Sequence, residues 1–296
     1  QGAKLFWLDV AEPEYSVYDF KNYRYQLGSV QEVGNIYPKY YLKAFYDGMT
    51  AEGDTMPISL IRSAWAGSAK YGALVWSGDI VSTFECFRRQ VQAGLNMAIA
   101  GIPWWTTDIG GFHGARTDDP DFHRLYIRWF EYGCFCPVMR LHGNRNPQEG
   151  YGAEQIGSGS DNEIWSFGDE AYEISKKYIF LRERLRDYIR AQMKKAHEDG
   201  TPVMRPVFYD FPTDPESWNV EDAYLFGPDL YVAPVMEDHV MEREVYLPAG
   251  TAWFNAWTGE KYEGGQKVTV AAPMDIIPVF VKEGADAEKL LNIFSE

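Results

Sequence analysis

The chain has 296 residues, of which 46% are hydrophobic and 24% charged, the balance of an ordinary folded protein with room for one large domain or a large and a smaller one. A formal net charge of −15 argues against a nucleic-acid partner, which needs Lys and Arg to displace counterions from the phosphates. There is no run of about 18 apolar residues to cross a bilayer, and the 16% aromatic share, with ten Trp and twenty Tyr, suits either a large core or stacking against sugar rings.

Short apolar strands and longer helical patterns alternate from the start. KLFWLDV (4–10) is an apolar run that delivers Asp9, and MPISLIRSAW (56–65), ALVWSGD (73–79), MAIAGIPWWTTD (97–108) and CFCPVMRLHG (134–143) repeat that form. Such runs predict strands buried on both faces. Between them, YPKYYLKAFYDGMTAEG, TFECFRRQVQAGLN and DFHRLYIRWFEYG place apolar residues at three- and four-residue intervals with Gly near their ends, which predicts amphipathic helices. The alternation leaves two architectures, a doubly wound parallel sheet or a (β/α)8 TIM barrel. Asp9, Arg62, Asp79, Asp108, Arg140 and His142 all fall at the C-terminal ends of predicted strands. A barrel gathers those ends into one site, whereas a doubly wound sheet spreads them along an edge. Neither G-x-G-x-x-G nor G-x-x-x-x-G-K occurs, so nucleotide binding has little support.

A Gly- and Ser-containing loop then leads to a long helical stretch, 169–200, that stops at Gly200. Beyond it DLYVAPV, EREVYLPAG, TAWFNAWTGEKYEGG, QKVTVAAP and IIPVFVKEG are short segments punctuated by Pro and Gly. They predict a small antiparallel β-sandwich. The expected division is therefore an α/β part over 1–200 and an all-β domain over 201–296.

Asp9 and Asp79 are the pair best suited to chemistry. Each follows an apolar strand and a Trp, Trp7 and Trp76, where limited water lets two carboxylic acids differ in protonation. Glycoside hydrolysis requires that difference: carboxyl groups about 5 Å apart give a covalent intermediate and retention, and a wider gap gives inversion. Taken singly, each Asp reads equally as a helix N-cap.

Taken together, the segments resemble glycoside hydrolase family 31, the retaining α-glucosidases and α-xylosidases. WLDVAE (7–12) looks like that family's nucleophile strand, which makes Asp9 the implied nucleophile, Trp7 a wall of the sugar pocket and Glu12 a supporting residue behind it. RSAWAGSAKYGALVWSGD (62–79) is similar to the segment that supplies a substrate-binding Arg62, a pocket Trp76 and the acid/base Asp79. WWTTDIGGF (104–112) implies Asp108 and Phe112 as sugar contacts, and MRLHG (139–143) implies Arg140 and His142. The resemblance implies no cofactor and no metal. A competing account makes His142 a core histidine and Arg62 and Arg140 the ion-pair partners of Asp9 and Asp108.

The resemblance further implies that residue 1 falls just before the fourth strand of the barrel. Residues 1–200 are then its C-terminal portion, about strands 4 to 8, and 201–296 the sandwich that follows. The expected substrate is an α-linked oligosaccharide or glycoside, with xylose somewhat ahead of glucose because Pro13 and Glu14 follow the motif. The expected partner is an N-terminal half, as a separate chain or a missing segment, since bare strand edges invite pairing, with a homo-oligomer as another outcome. An α-glycosyltransferase, an α-glucan lyase and a non-catalytic sugar-binding piece stay open.

Other residues offer less. His113 and His123, near Asp118, Asp119 and Asp121, read as a solvated loop entering a helix rather than a metal site. Cys134 and Cys136 read as buried thiols without a base. Three cysteines with no pairing pattern and no basic-then-apolar leader suggest a cytoplasmic protein, with export left open.

Overall fold

Four parallel strands lie side by side in chain order: β1 (Leu5–Leu8), β2 (Ile58–Ile61), β3 (Ala73–Trp76) and β4 (Trp105–Thr106). The computed structural model describes residues 3–12, 19–150, 157–284 and 286–295; Pro13 and Glu14 lie outside the described residues. Register runs from Leu5 opposite Ile58 to Leu8 opposite Ile61, then Ser59 opposite Ala73 and Val75 opposite Trp105. Helix α1 (Tyr37–Ala51) joins β1 to β2, α2 (Phe84–Ile99) joins β3 to β4, and α3 (Pro120–Cys134) follows β4. All four strands therefore present their C-terminal ends to one side, as crossover connections require.

The helices start where side chains can satisfy their free N–H groups. Thr83 accepts from the Cys86 amide at the start of α2, and Asp119 accepts from the Asp121 amide before Pro120 opens α3. Phe87, Val91, Leu95 and Ala98 repeat on the buried face of α2, the spacing of a helix laid on a sheet. Helix α3 is buried almost throughout and packs against α4 (Gly168–Arg184). Between β2 and β3 a short 3₁₀ turn takes the place of a helix, and Gly72 closes it at φ +70°. A Cβ there would stand 2.0 Å from the Pro57 carbonyl oxygen.

Three expected elements differ in the structure. Only Trp105–Thr106 of the 97–108 run is strand, because 97–99 complete α2. In the 134–143 run, Cys134 closes α3 and no strand ladder forms. The segment does run beside β4, with the Val138 amide donating to Trp105 and the Ile109 amide to Arg140, but Pro137 has no N–H to extend the pattern. The long helix is two, α4 and α5 (Arg186–Asp199), abutting at the buried Leu185, whose ψ of −2° departs from helical geometry.

After Gly200 the chain is built around short strands: β5 (Met204–Arg205), β6 (Tyr224–Phe226), β7 (Leu230–Val232), β8 (Glu242–Leu247), β9 (Ala252–Asn255), β10 (Lys261–Glu263), β11 (Gln266–Ala271) and β12 (Val279–Lys282). An antiparallel sheet in the order β10-β9-β12-β7-β6-β5 faces the β8–β11 pair. Val245, Leu247 and Val270 of the pair share a core with Leu225, Tyr231, Trp253 and Phe280 of the sheet, giving two packed layers. Strands β5 and β6 and the C-terminal helix α6 (Ala287–Ser295) have no counterpart in the sequence reading.

Side chains alternate across a strand, and on β1 Leu8 is buried while Leu5 and Trp7 are 59% and 55% exposed. Among the described residues, β1 pairs with β2 alone. The parallel sheet is thus open on its β1 side, with the face that carries Trp7 uncovered there.

Candidate active site

Alternation along β1 places Trp7 and Asp9 on one side of the sheet. Arg62 leaves the end of β2, its amide donating to the Leu8 carbonyl, so its side chain rises beside Asp9. Among the described residues the guanidinium meets the carboxylates of Asp9, Asp79 and Glu12: Nη1 is 3.1 Å from Asp9 Oδ1 and 3.9 Å from Asp79 Oδ2, and Nη2 is 2.6 Å from Glu12 Oε1. The Asp9 and Asp79 oxygens can therefore be no farther apart than about 7 Å, the combined length of the two contacts. Arg62 is mostly buried, whereas the carboxylates keep 37% to 47% of their side-chain surface open. A cation fixed from below and acids open above give a site that a ligand can enter.

Val10, directly after Asp9, has φ 51°, rare for a β-branched residue. Its amide donates to Asp9 Oδ1 at 2.9 Å, so this turn and Arg62 hold the same oxygen.

A second group stands at the ends of β4 and the segment after α3. Asp108 is fully buried and ion-paired with Arg140. Burial pushes the Asp108 carboxyl up to about 6, against the opposing pull of Arg140. Its Oδ2 has no hydrogen-bond partner among the described residues. Arg140 also lies over the Trp76 ring, 5.6 Å from its centre, on the strand that leads to Asp79.

Rings complete the wall. Trp7 and Trp76 are 6.0 Å apart between centres, the His142 ring meets Trp7 edge-on at 5.7 Å, and Phe112 stacks on His142 at 5.4 Å. Burial first, then the positive charge of Arg140 and Arg145, keeps the His142 imidazolium disfavoured. All ten residues singled out from the sequence thus join one connected cluster. The ion pairs of the competing account, Arg62 with Asp9 and Arg140 with Asp108, both exist, and they fix those carboxylates at the cluster. His142 touches Trp7 and Phe112 of the wall.

The sequence reading missed Arg145, fully buried beneath the turn that carries Asp108 and Phe112. Its signal was its place three residues after His142 in RLHGNR. His123 falls outside the cluster, contacting the Thr117 carbonyl, and Arg116 pairs with Asp118, while the His113 ring meets Phe112 of the wall edge-on at 4.4 Å. Cys134 and Cys136 are buried, and burial pushes both thiols up to about 12.

An apolar wall beside paired carboxylates and buried donors is the chemistry that recognises a polyhydroxylated ring. Comparison with known proteins agrees in class. The profile of the glycosyl hydrolases family 31 TIM-barrel domain matches residues 1–192, and that of the family 31 C-terminal domain matches residues 200–285. The chain belongs to glycosyl hydrolase family 31.

Among curated family 31 relatives, an α-xylosidase of Saccharolobus solfataricus is 36% identical over 289 residues, covering 96% of this chain and 38% of the relative. An α-glucosidase of Bacillus thermoamyloliquefaciens is 31% identical over 96% of this chain and 35% of its own. A crystal structure of a family 31 α-xylosidase from a soil metagenome, complexed with xylose, superposes with a TM-score of 0.95 at 56% identity, covering 98% of this chain and 44% of that one. The chain spans about two-fifths of the length of these relatives.

Proposed function

We propose that this chain carries the acid pair of a retaining α-glycoside hydrolase, and that the complete site releases a terminal α-xylosyl or α-glucosyl residue. The observation that carries the reading is Arg62 set between Asp9 and Asp79, with their oxygens within about 7 Å of each other. In this reading Asp9, closer to the cation and bonded by the Val10 amide, is the nucleophile. Its carboxylate attacks the anomeric carbon as the bond to the glycosidic oxygen breaks, and Asp79 gives that oxygen its proton. Water then attacks the same carbon, Asp79 takes up a proton, and the ester to Asp9 breaks to release the sugar. Anionic Asp9 favours the positive character that develops at the anomeric carbon. Asp108, Arg140, His142, Trp7, Trp76 and Phe112 orient the ring, and Glu12 orients Arg62.

Xylose stands ahead of glucose because the α-xylosidases above share 36% and 56% of aligned residues with this chain. The uncovered face of β1, with Leu5 and Trp7 exposed, supports the further proposal that an N-terminal half, on the same or another polypeptide, completes the pocket.

The test joins this chain to the N-terminal portion of the soil-metagenome α-xylosidase and follows para-nitrophenyl α-xyloside and α-glucoside by NMR. The reading expects hydrolysis with the α-anomer of the free sugar appearing first. First appearance of the β-anomer overturns retention, and a folded assembly with no turnover overturns the enzymatic reading. Longer oligosaccharides or an unsaturated keto sugar as products would make it a transferase or a lyase.

A further inference from the structure

Arg145 is the most heavily used buried side chain near the site, and nothing in the proposed chemistry requires it. It is fully buried. Its Nε donates to Asn162 Oδ1 at 2.7 Å, Nη1 to the Gly111 carbonyl at 2.8 Å and to Ser82 Oγ at 3.4 Å, and Nη2 to the Ile109 carbonyl at 3.1 Å. The Phe122 ring lies 4.7 Å beneath the guanidinium. Among the described residues it has no carboxylate within ion-pair distance; carbonyl, amide and hydroxyl dipoles meet its donors directly, and Asp108 acts on its charge only from farther off. Such a group is costly to retain for packing alone, because a neutral side chain of similar volume avoids the desolvation.

The backbone is shaped around it. Gly143 leaves room where a Cβ would stand 2.4 Å from Arg145 Cζ, and a Cβ on Gly110 would come within 3.2 Å of Nη2. Gly110 and Gly111 both have positive φ, and a Cβ on Gly111 would meet the Ser82 backbone at 2.7 Å. The glycines of DIGGF and RLHG thus let one planar fork reach the turn after β4, the loop after β3 and Asn162. It binds the turn after β4, which delivers Asp108 and Phe112, to Ser82 beyond Asp79 and to its own segment beyond His142.

We propose that Arg145 is a positioning residue for the glycosidase site, its five-donor fork locking the Asp108–Phe112 turn against the loops that carry Asp79 and His142. The inference rests on the glycosidase reading. The same cation faces His142 together with Arg140, with Asp79 and Asp9 opposing them. Arg145 therefore also helps to keep that imidazole neutral, able to accept as well as donate a hydrogen bond. A Lys preserves the charge but not the fork, and a Met preserves bulk without either.

The experiment uses Arg145→Lys and Arg145→Met in two settings. In the 296-residue chain, NMR follows the His142 ring through a pH titration, assigned with His142→Gln and requiring no turnover. In the joined assembly, kcat and KM are measured on para-nitrophenyl α-xyloside. The proposal expects the His142 midpoint to move to higher pH in Arg145→Met and to stay near the parent value in Arg145→Lys. Both variants are expected to lose about 10- to 100-fold in kcat/KM, the scale of a misplacement near 1 Å. Near-parent kcat/KM for folded Arg145→Lys overturns the fork. An unmoved His142 midpoint in folded Arg145→Met overturns the electrostatic role. If Arg145→Met does not fold, Arg145→Lys alone decides the fork; if neither folds, Arg145 is a stability residue and the proposal is withdrawn. Absence of turnover in the parent assembly would instead fault the glycosidase reading, which the His142 titration does not use.

Discussion

Arg140 and Asp108 form a buried ion pair between neighbouring chain segments, yet burial outweighs the cation and leaves the Asp108 carboxyl at about 6. The folded protein therefore holds a proton there through a pH range in which the unfolded chain has released it. Stability contributed by this group is greatest below pH 4 and is lost as pH rises toward 6. A displacement of about two pH units corresponds to about 3 kcal/mol. Asp108→Asn, which still accepts from Arg140, should flatten the pH dependence of thermal stability between pH 4 and 6. An unchanged slope in calorimetry would show that Asp108 titrates as an ordinary carboxylate.

Asp9 and Asp79 should fail differently when neutralised in the joined assembly. Asp79→Asn is expected to slow hydrolysis of natural glycosides by about 10²- to 10⁴-fold, the span of general acid–base catalysis. A para-nitrophenyl glycoside, whose leaving group needs no proton, should be rescued by azide as the α-glycosyl azide. Asp9→Asn should abolish turnover and not recover this retained product. Equal azide rescue of both variants, or substantial turnover in Asp9→Asn, would reverse or reject the two roles.

Arg128 and Glu131 bind the α/β part to the sandwich. Arg128, 1% exposed on α3, donates to the carbonyls of Val240, Ala272, Pro273 and Ile276 and to Glu131 Oε2 at 3.2 Å. Removing one member leaves the other charge buried, which costs about 3–5 kcal/mol. At pH 9, above the Glu131 carboxyl that burial pushes up to about 8, Arg128→Met should therefore destabilise by that amount, and adding Glu131→Gln should recover part of it. At pH 7, where that carboxyl keeps its proton, the double-mutant cycle should be close to additive. Equal coupling at the two pH values would show that Glu131 is already ionised at pH 7.

Strand ends were the most legible part of the sequence, because a short continuous apolar run and the charge that ends it are both local. Leu5 to Asp9 and Ala73 to Asp79 announce themselves without knowledge of neighbours. The segment 134–143 was misread because its apolar run is shared by the end of α3, the Pro137 turn and an extended piece held by two isolated backbone hydrogen bonds. Arg145 was missed for another reason: apart from its place just after His142, its role depends on partners at positions 82, 109, 111 and 162, and no local pattern encodes a guanidinium shared by distant loops. The contact of Arg140 with Trp76 likewise exists only once the sheet is formed.

Gly72 controls whether β2 and β3 can lie together. It ends the 3₁₀ turn at φ +70°, and its missing side chain faces the Pro57 carbonyl at the start of β2. In Gly72→Ala the left-handed backbone alone costs about 1–2 kcal/mol, and a Cβ 2.0 Å from that oxygen must push the strands apart. The amide of Ser59 donates to the Gly72 carbonyl at 3.1 Å, so the displacement also breaks the first ladder bond. Denaturant unfolding should show a loss of more than about 2 kcal/mol, with Arg62 displaced from Asp9 and Asp79 because it leaves the same strand. Gly48→Ala, where a Cβ meets nothing within 4 Å on an exposed face of α1, serves as the control and should be neutral or stabilising, since Ala favours a helix interior over Gly. Equal stability of Gly72→Ala and the parent would mean that the turn can reseat without this close approach.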